Sequence, residues 1–161
     1  MKKIISSSWT LYFSPHFPSK SFVSAKRFFA LISVGANLGN KRRTFNKLFF
    51  LLRSSRAVSA VKTSPILLNP DFSNAGNPLY LNAVIAIKTF LAPSALLKRL
   101  HAIEERFGRE RPYKNAPRTL DLDIIFFETK KFYNKDLSIP HPEWQKRVSV
   151  VIPMLYLQGR R

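Results

Sequence analysis

Between Phe28 and Phe127 the apolar residues change their spacing in a fixed order, and that order restricts the fold more than any other property of the chain. Residues 28–34, FFALISV, form a short apolar run ending at Gly35, the pattern of a buried strand entering a tight turn. From Lys41 to Ser55 the residues Phe45, Leu48, Phe49 and Leu52 recur at spacings of three and four, which lays one stripe along a helix. Ala57 to Lys62 alternates as a second strand. Tyr80 to Phe90 puts Leu81, Ala83, Ile85 and Ile87 on one face of a third, and Pro65 to Pro78 reads as the long loop between them. Ala92-Pro93-Ser94 precedes a second helical stripe of Leu96, Leu97, Leu100, Ile103 and Phe107, which stops at Gly108 in the manner of a left-handed residue after a helix. Thr119 to Phe127 is the fourth strand. Strand, helix, strand, strand, helix, strand is the order of a ferredoxin-like α+β domain, an antiparallel sheet with helices packed on one face. Residues 28–161 are expected to form this single domain, with Val148 to Leu157 packing back on it, and residues 1–27 to form a basic N-terminal extension.

Composition supports a packed domain: 161 residues with 45% hydrophobic and 13% aromatic side chains suffice for one core. The formal charge is +18 and unevenly spread, because residues 1–70 carry twelve Lys and Arg and no acid before Asp71. Such a field steers polyanions to the surface, whether nucleotide triphosphate, nucleic acid or anionic lipid. The chain has no cysteine, which excludes disulfides, zinc thiolates and thiol nucleophiles and permits a reducing compartment. Near the N-terminus the pair Lys2 and Lys3 resembles the start of a signal peptide, but Ser6, Ser7, Ser8, Ser14, Pro15 and His16 interrupt the apolar residues that follow. No run of about eighteen apolar residues is present. A cytoplasmic protein without a stable nucleic-acid or membrane partner is expected.

The strongest local signal is Arg118-Thr119-Leu120-Asp121-Leu122-Asp123-Ile124-Ile125-Phe126. On a strand, Leu120, Leu122, Ile124 and Phe126 point one way while Asp121 and Asp123 point together the other way, their Cα atoms roughly 7 Å apart. Carboxylates this close repel each other unless a cation sits between them. Mg²⁺ takes one or two carboxylates and completes its octahedron with water and phosphate oxygens, so the pair suggests a metal-nucleotide site. Arg109, Arg111, Lys114 and Arg118 stand just upstream, and guanidinium donors suit phosphate oxygens and the charge of a phosphoryl-transfer transition state. Gly35-Ala36-Asn37-Leu38-Gly39-Asn40-Lys41-Arg42 does not have P-loop spacing and reads as a turn lining a pocket. In Ile139-Pro140-His141-Pro142 two prolines fix an imidazole that could bind phosphate or assist proton transfer, and Arg147 follows. His16 and His101 have no metal-ligand spacing with it.

Together these strings resemble one family. Gly35-Ala36-Asn37-Leu38-Gly39, Tyr80-Leu81-Asn82-Ala83, Gly108-Arg109, Ala116-Pro117-Arg118-Thr119-Leu120-Asp121-Leu122-Asp123-Ile124 and Ile139-Pro140-His141-Pro142 occur in the order and spacing of the 6-hydroxymethyl-7,8-dihydropterin pyrophosphokinases of folate biosynthesis. The resemblance covers about residues 30–157, and the Arg-Thr-Leu-Asp-Leu-Asp string is its most specific part. It implies a ferredoxin-like fold and an enzyme that moves a pyrophosphoryl group from ATP to the pterin alcohol, releasing AMP.

By position, the resemblance implies that Asp121 and Asp123 ligate two Mg²⁺ ions that bridge the triphosphate. It makes Arg109, Arg111, Arg118, His141 and Arg147 the groups that hold and polarise the phosphates, with Glu104, Ile124 and Ser138 around the nucleoside. Ser64, Pro65, Leu67, Tyr80 and Asn82 match the pterin pocket, Tyr80 stacking on the ring and Asn82 reading its polar edge. Its closing loops correspond to Gly39 to Lys41, Ile66 to Leu79 and Glu110 to Ala116. The chain departs from the family pattern at Asn115, where a lid Trp is usual, at Ser149, where an aromatic residue commonly walls the pterin slot, and at His101, in place of a common glutamine. The alternative is a basic ferredoxin-like RNA-binding module, but the chain has no RNP-like aromatic string, and Asn82, Val84 and Ala86 offer a poor stacking face.

Overall fold

The computed structural model describes residues 1–19, 23–70, 76, 78–110, 113 and 116–157. Strands β1 (Lys2–Ile4) and β2 (Thr10–Tyr12) precede β3 (Phe28–Ala36), whose odd and even positions serve two different faces. Helix α1 (Lys41–Ser54) starts at Asn40, whose side chain accepts from the Arg43 amide at 3.1 Å, and buries the expected stripe of Phe45, Leu48, Phe49 and Leu52. Strands β4 (Val58–Thr63), β5 (Ile66–Asn69) and β6 (Tyr80–Thr89) follow. Helix α2 (Pro93–Arg106) opens on a proline at its first position, where the missing N–H costs nothing, and buries Leu96, Leu100 and Ile103. Beyond α2 come β7 (Asp121–Phe127), the short hairpin of β8 (Phe132–Tyr133) and β9 (Ser138–Ile139), and α3 (Val148–Leu157).

In the main sheet β7 pairs with β3 and β3 with β6, while β4 and then β5 share the outer side of β6; every pairing is antiparallel. The β7-β3-β6-β4 order, with α1 and α2 on one face, is the ferredoxin-like arrangement expected from the sequence. The core beneath the two helices gathers Ala30, Ile32 and Val34 of β3, Ala83, Ile85 and Ile87 of β6, and Leu122 and Ile124 of β7. Helix α3 covers part of the other face, where Val150 and Leu157 meet Leu31, Val84, Ala86 and Ile125.

Three local readings differ from the structure. The stretch Pro65 to Pro78 is not all loop, because Ile66–Asn69 pairs with Tyr80–Asn82 as β5. Phe126 does not share the face of Leu122 and Ile124: the register slips between Leu31 and Ile32, Ile125 is the extra residue, and Phe126 packs on the α3 side against Trp144. Residues 1–19, in which no strand is expected, carry β1 and β2, which extend the same sheet beyond β5, and Phe17 is fully buried against Phe45 and Phe49 of α1. Their apolar residues are irregularly spaced and interrupted by serines and prolines, which hid the strands.

Candidate active site

The face of the sheet opposite α1 and α2 is covered by α3 over Leu31, Val84 and Ala86 and continues past that cover toward Gly35. Register places Leu67 beside Asn82, Asn82 beside Gly35, and Gly35 beside Asp121, so one row crosses β5, β6, β3 and β7. In the next row Asp123 lies beside Ser33. Leu67 and Asn82, two of the five residues matched to the pterin pocket, thus share one strip with the carboxylate pair. Gly35 keeps the strip low: a Cβ there would stand 3.0 Å from Asn82 Oδ1 and 3.8 Å from Asp121 Cβ.

Asp121 and Asp123 both open into a cleft of about 420 Å³, with side chains 24% and 32% exposed. Arginines meet each carboxylate. Arg109 Nη1 is 2.7 Å from Asp121 Oδ1, Arg118 Nη1 donates to Asp121 Oδ2 at 2.9 Å, and Arg147 Nη1 donates to Asp123 Oδ2 at 2.9 Å. His141 Nε2 stands 3.9 Å from Asp123, and its Nδ1 donates to the Pro142 carbonyl at 2.6 Å, which orients the ring with Nε2 toward the carboxylate. For Arg118, burial is the largest single influence and works against the charge, but attraction to Asp121, Tyr80 and Asp123 together with the Asp121 hydrogen bond outweighs it and holds the guanidinium above its ordinary pKa.

Chain geometry explains how these groups converge. Gly108, at φ +73°, ends α2 in a left-handed turn: its amide donates to the Glu105 carbonyl at 2.9 Å and the Arg109 amide to the Glu104 carbonyl at 3.1 Å. That reversal turns Arg109 back onto Glu104, which is 2% exposed, pairs with Arg109 and accepts from the Leu122 amide at 2.7 Å. One buried carboxylate therefore ties α2, the arginine and β7 together. Ile124, Ser138, Leu97 and His101 line the same cleft, the last two from α2.

Of the five residues expected to form the pterin pocket, Ser64 is fully buried, its hydroxyl donating to the Pro65 carbonyl at 2.8 Å and accepting from the Val84 amide at 3.0 Å. Pro65 and Leu67 are buried and Tyr80 is half-buried at the start of β6. Tyr80 is near enough to Arg118 to bear on its charge. Asn82 donates to Asn69 Oδ1 at 2.6 Å. Ser149 occupies the first turn of α3 and is half-buried. Arg111, Lys114 and Asn115 lie outside the described residues.

The family model of 7,8-dihydro-6-hydroxymethylpterin-pyrophosphokinase matches residues 31–159. The chain belongs to that family. It is 38% identical over 128 residues to the 2-amino-4-hydroxy-6-hydroxymethyldihydropteridine pyrophosphokinase of Campylobacter jejuni, covering 80% of this chain and 82% of the relative. Identity to the enzyme of the same name from Helicobacter pylori is 36% over 130 residues, 80% of each chain. The folic acid synthesis protein fol1 of Schizosaccharomyces pombe is 30% identical over 136 residues, which make 84% of this chain but 19% of that protein. This pyrophosphokinase is accordingly an enzyme of folate biosynthesis that takes ATP as co-substrate and transfers its pyrophosphate to the hydroxymethyl dihydropterin. The RNA-binding alternative has no such support, and α3 covers part of the sheet face an RNA would need.

Two residues of this pyrophosphokinase went unassigned in the sequence. Asn37, 2% exposed, accepts from the Arg118 amide at 2.7 Å while its own amide and that of Leu38 donate to the Arg118 carbonyl at 3.1 and 3.2 Å. Asn69, 3% exposed, braces Asn82. A lone Asn in a glycine turn or before a proline carries no signal of its own; only the partner across the fold reveals it. No helix among the described residues is long and apolar enough to cross a membrane.

Proposed function

We propose that the cleft holds ATP with its triphosphate against Arg109, Arg118, His141 and Arg147 and its nucleoside toward Ile124, Ser138 and His101, while the pterin lies along Ser64, Pro65, Leu67, Tyr80 and Asn82. Arg111, Glu104 and the two aspartates complete the nucleotide side as the resemblance implies. What supports this reading is the strip itself: Asn82, Gly35 and Asp121 are consecutive cross-strand neighbours, so a pterin over Asn82 sits next to a phosphate chain at Asp121.

The two carboxylates fit Mg²⁺. They are hard oxygen donors at alternate strand positions, and no group of three or more His, Asp or Glu among the described residues offers the fuller set a transition metal takes. Two Mg²⁺ ions bound by Asp121 and Asp123 would neutralise the triphosphate and the charge developing on its oxygens. The arginines that now pair with the carboxylates are the groups that exchange to phosphate oxygens when nucleotide arrives, which conserves their ion pairs while reorganising them. Glu104 keeps Arg109 aimed during the exchange, and Asn37 does the same for the Arg118 backbone. The pterin hydroxymethyl oxygen attacks the β-phosphorus, the bond to the α-phosphate oxygen breaks, AMP leaves with that electron pair and the hydroxyl proton is lost. Positioning and electrostatics supply the acceleration.

Product analysis tests the proposal. Incubation with Mg-ATP and 6-hydroxymethyl-7,8-dihydropterin, followed by phosphorus NMR, should yield equimolar AMP and pterin diphosphate. ADP with a pterin monophosphate would mean attack at the γ-phosphorus and refute it.

A further inference from the structure

The family match begins at residue 31, yet residues 1–19 run along the outer edge of the segment that carries three of the five pterin residues. Thr10, Leu11 and Tyr12 pair with Leu68, Leu67 and Ile66 of β5. Further along, Ser19 bridges Thr63: its amide donates to Thr63 Oγ1 at 2.7 Å, and that hydroxyl, fully buried, donates to the His16 carbonyl. Ser64, Pro65 and Leu67 therefore lie inside a stretch stitched at both ends to the N-terminal segment.

The stitching matters because β5 is weakly held otherwise. It is a four-residue strand that pairs with β6 at three positions, and a strand so short with a bare outer edge frays. With the hairpin in place it becomes an interior strand. Leu11 is fully buried beside Leu67, and Lys3, the partner of Leu11 across the hairpin, places its ammonium 5.6 Å over the Tyr156 ring of α3, tying the hairpin to the helix that follows Arg147.

We propose that residues 1–19 are a positioning element for the pterin: they fix β5, and with it Leu67 and the Asn69–Asn82 bridge, so that the pterin side is formed before substrate binds. The proposal rests on the pterin assignment made above. It accounts for a chain with Ser149 where an aromatic wall is common, since a preordered strand lowers the entropy lost on binding.

Steady-state kinetics on the full chain test it, with Leu11→Ala and Thr63→Val as independent lesions at the two ends of the stitch. Each should raise the KM for the pterin roughly five- to tenfold with kcat and the KM for ATP near wild type, and Leu11→Met should restore it. Phe17→Leu, which loosens the N-terminal segment against α1 rather than β5, serves as the stability control and should lower the melting temperature without that selective change. A wild type that turns over while both variants keep its pterin KM, or variants that raise both KM values together, would overturn the positioning role alone. A wild type that forms no AMP would overturn the pterin assignment and the proposal with it.

Discussion

At the scale of single residues, the site is a set of arginines whose charges are already balanced before substrate arrives. Arg118 shows the consequence for pH. Its folded pKa is raised, so the stability it contributes is fully present below the ordinary arginine pKa and is lost only as pH climbs through the higher folded one. Within the range in which the enzyme can be assayed, Arg118 contributes no titration limb. Its role is geometric, and Arg118→Lys, which keeps the charge but loses the planar fork, should lower kcat/KM for ATP roughly ten- to a hundredfold with an unchanged pH profile. Asn37→Ala removes the acceptor of the Arg118 amide and should lower turnover in the same direction, with the larger share in kcat because the loop that aims the guanidinium is loosened. Stopped assays at saturating pterin, with ATP varied, check both. An Asn37→Ala enzyme with wild-type kcat would show that the 35–39 turn is only a linker.

Among the elements, α2 and β7 do most to assemble the site. The left-handed Gly108 is what aims Arg109 at Glu104, and Gly108→Ala should destabilise the fold by about 1 kcal/mol, the net cost of a Cβ in that conformation. Urea denaturation would measure this, and the same variant should lose more turnover than stability if Arg109 moves. The glycine, the helical stripe before it and the alternation of Asp121 and Asp123 were all readable in the sequence, because each rests on spacing within one element. What could not be read depends on partners far along the chain. The bulge at Ile125 arises from register with β3, β5 hides in a proline-flanked stretch of four residues, and the bonds from Asn37 to Arg118 and from Asn69 to Asn82 join residues no spacing rule connects. The five pterin positions came from family resemblance, and the strip that joins two of them, Leu67 and Asn82, to Asp121 emerged only from sheet register.

Over the whole molecule, the proposal makes the N-terminal segment part of the folding unit. Phe17→Ala should cost about 3 to 5 kcal/mol, the usual penalty for emptying a large aromatic site in a core, and calorimetry would show it as a lowered melting temperature. A shift near zero would mean that residues 1–19 are not part of the folding unit. The formal charge of +18 predicts a second bulk property: kcat/KM for Mg-ATP should fall severalfold as salt rises from about 0.02 to 0.3 M, while that for the uncharged pterin changes little. All of this converges on the carboxylate pair, which the account makes the meeting point of metal, triphosphate and alcohol. The most direct test is AMP formation by Asp121→Asn and Asp123→Asn over a Mg²⁺ titration, with circular dichroism melts alongside. Each variant should lose turnover by roughly a thousandfold at every Mg²⁺ concentration while still melting cooperatively as a folded protein. Wild-type Mg²⁺-dependent AMP release by either folded variant would contradict the assignment.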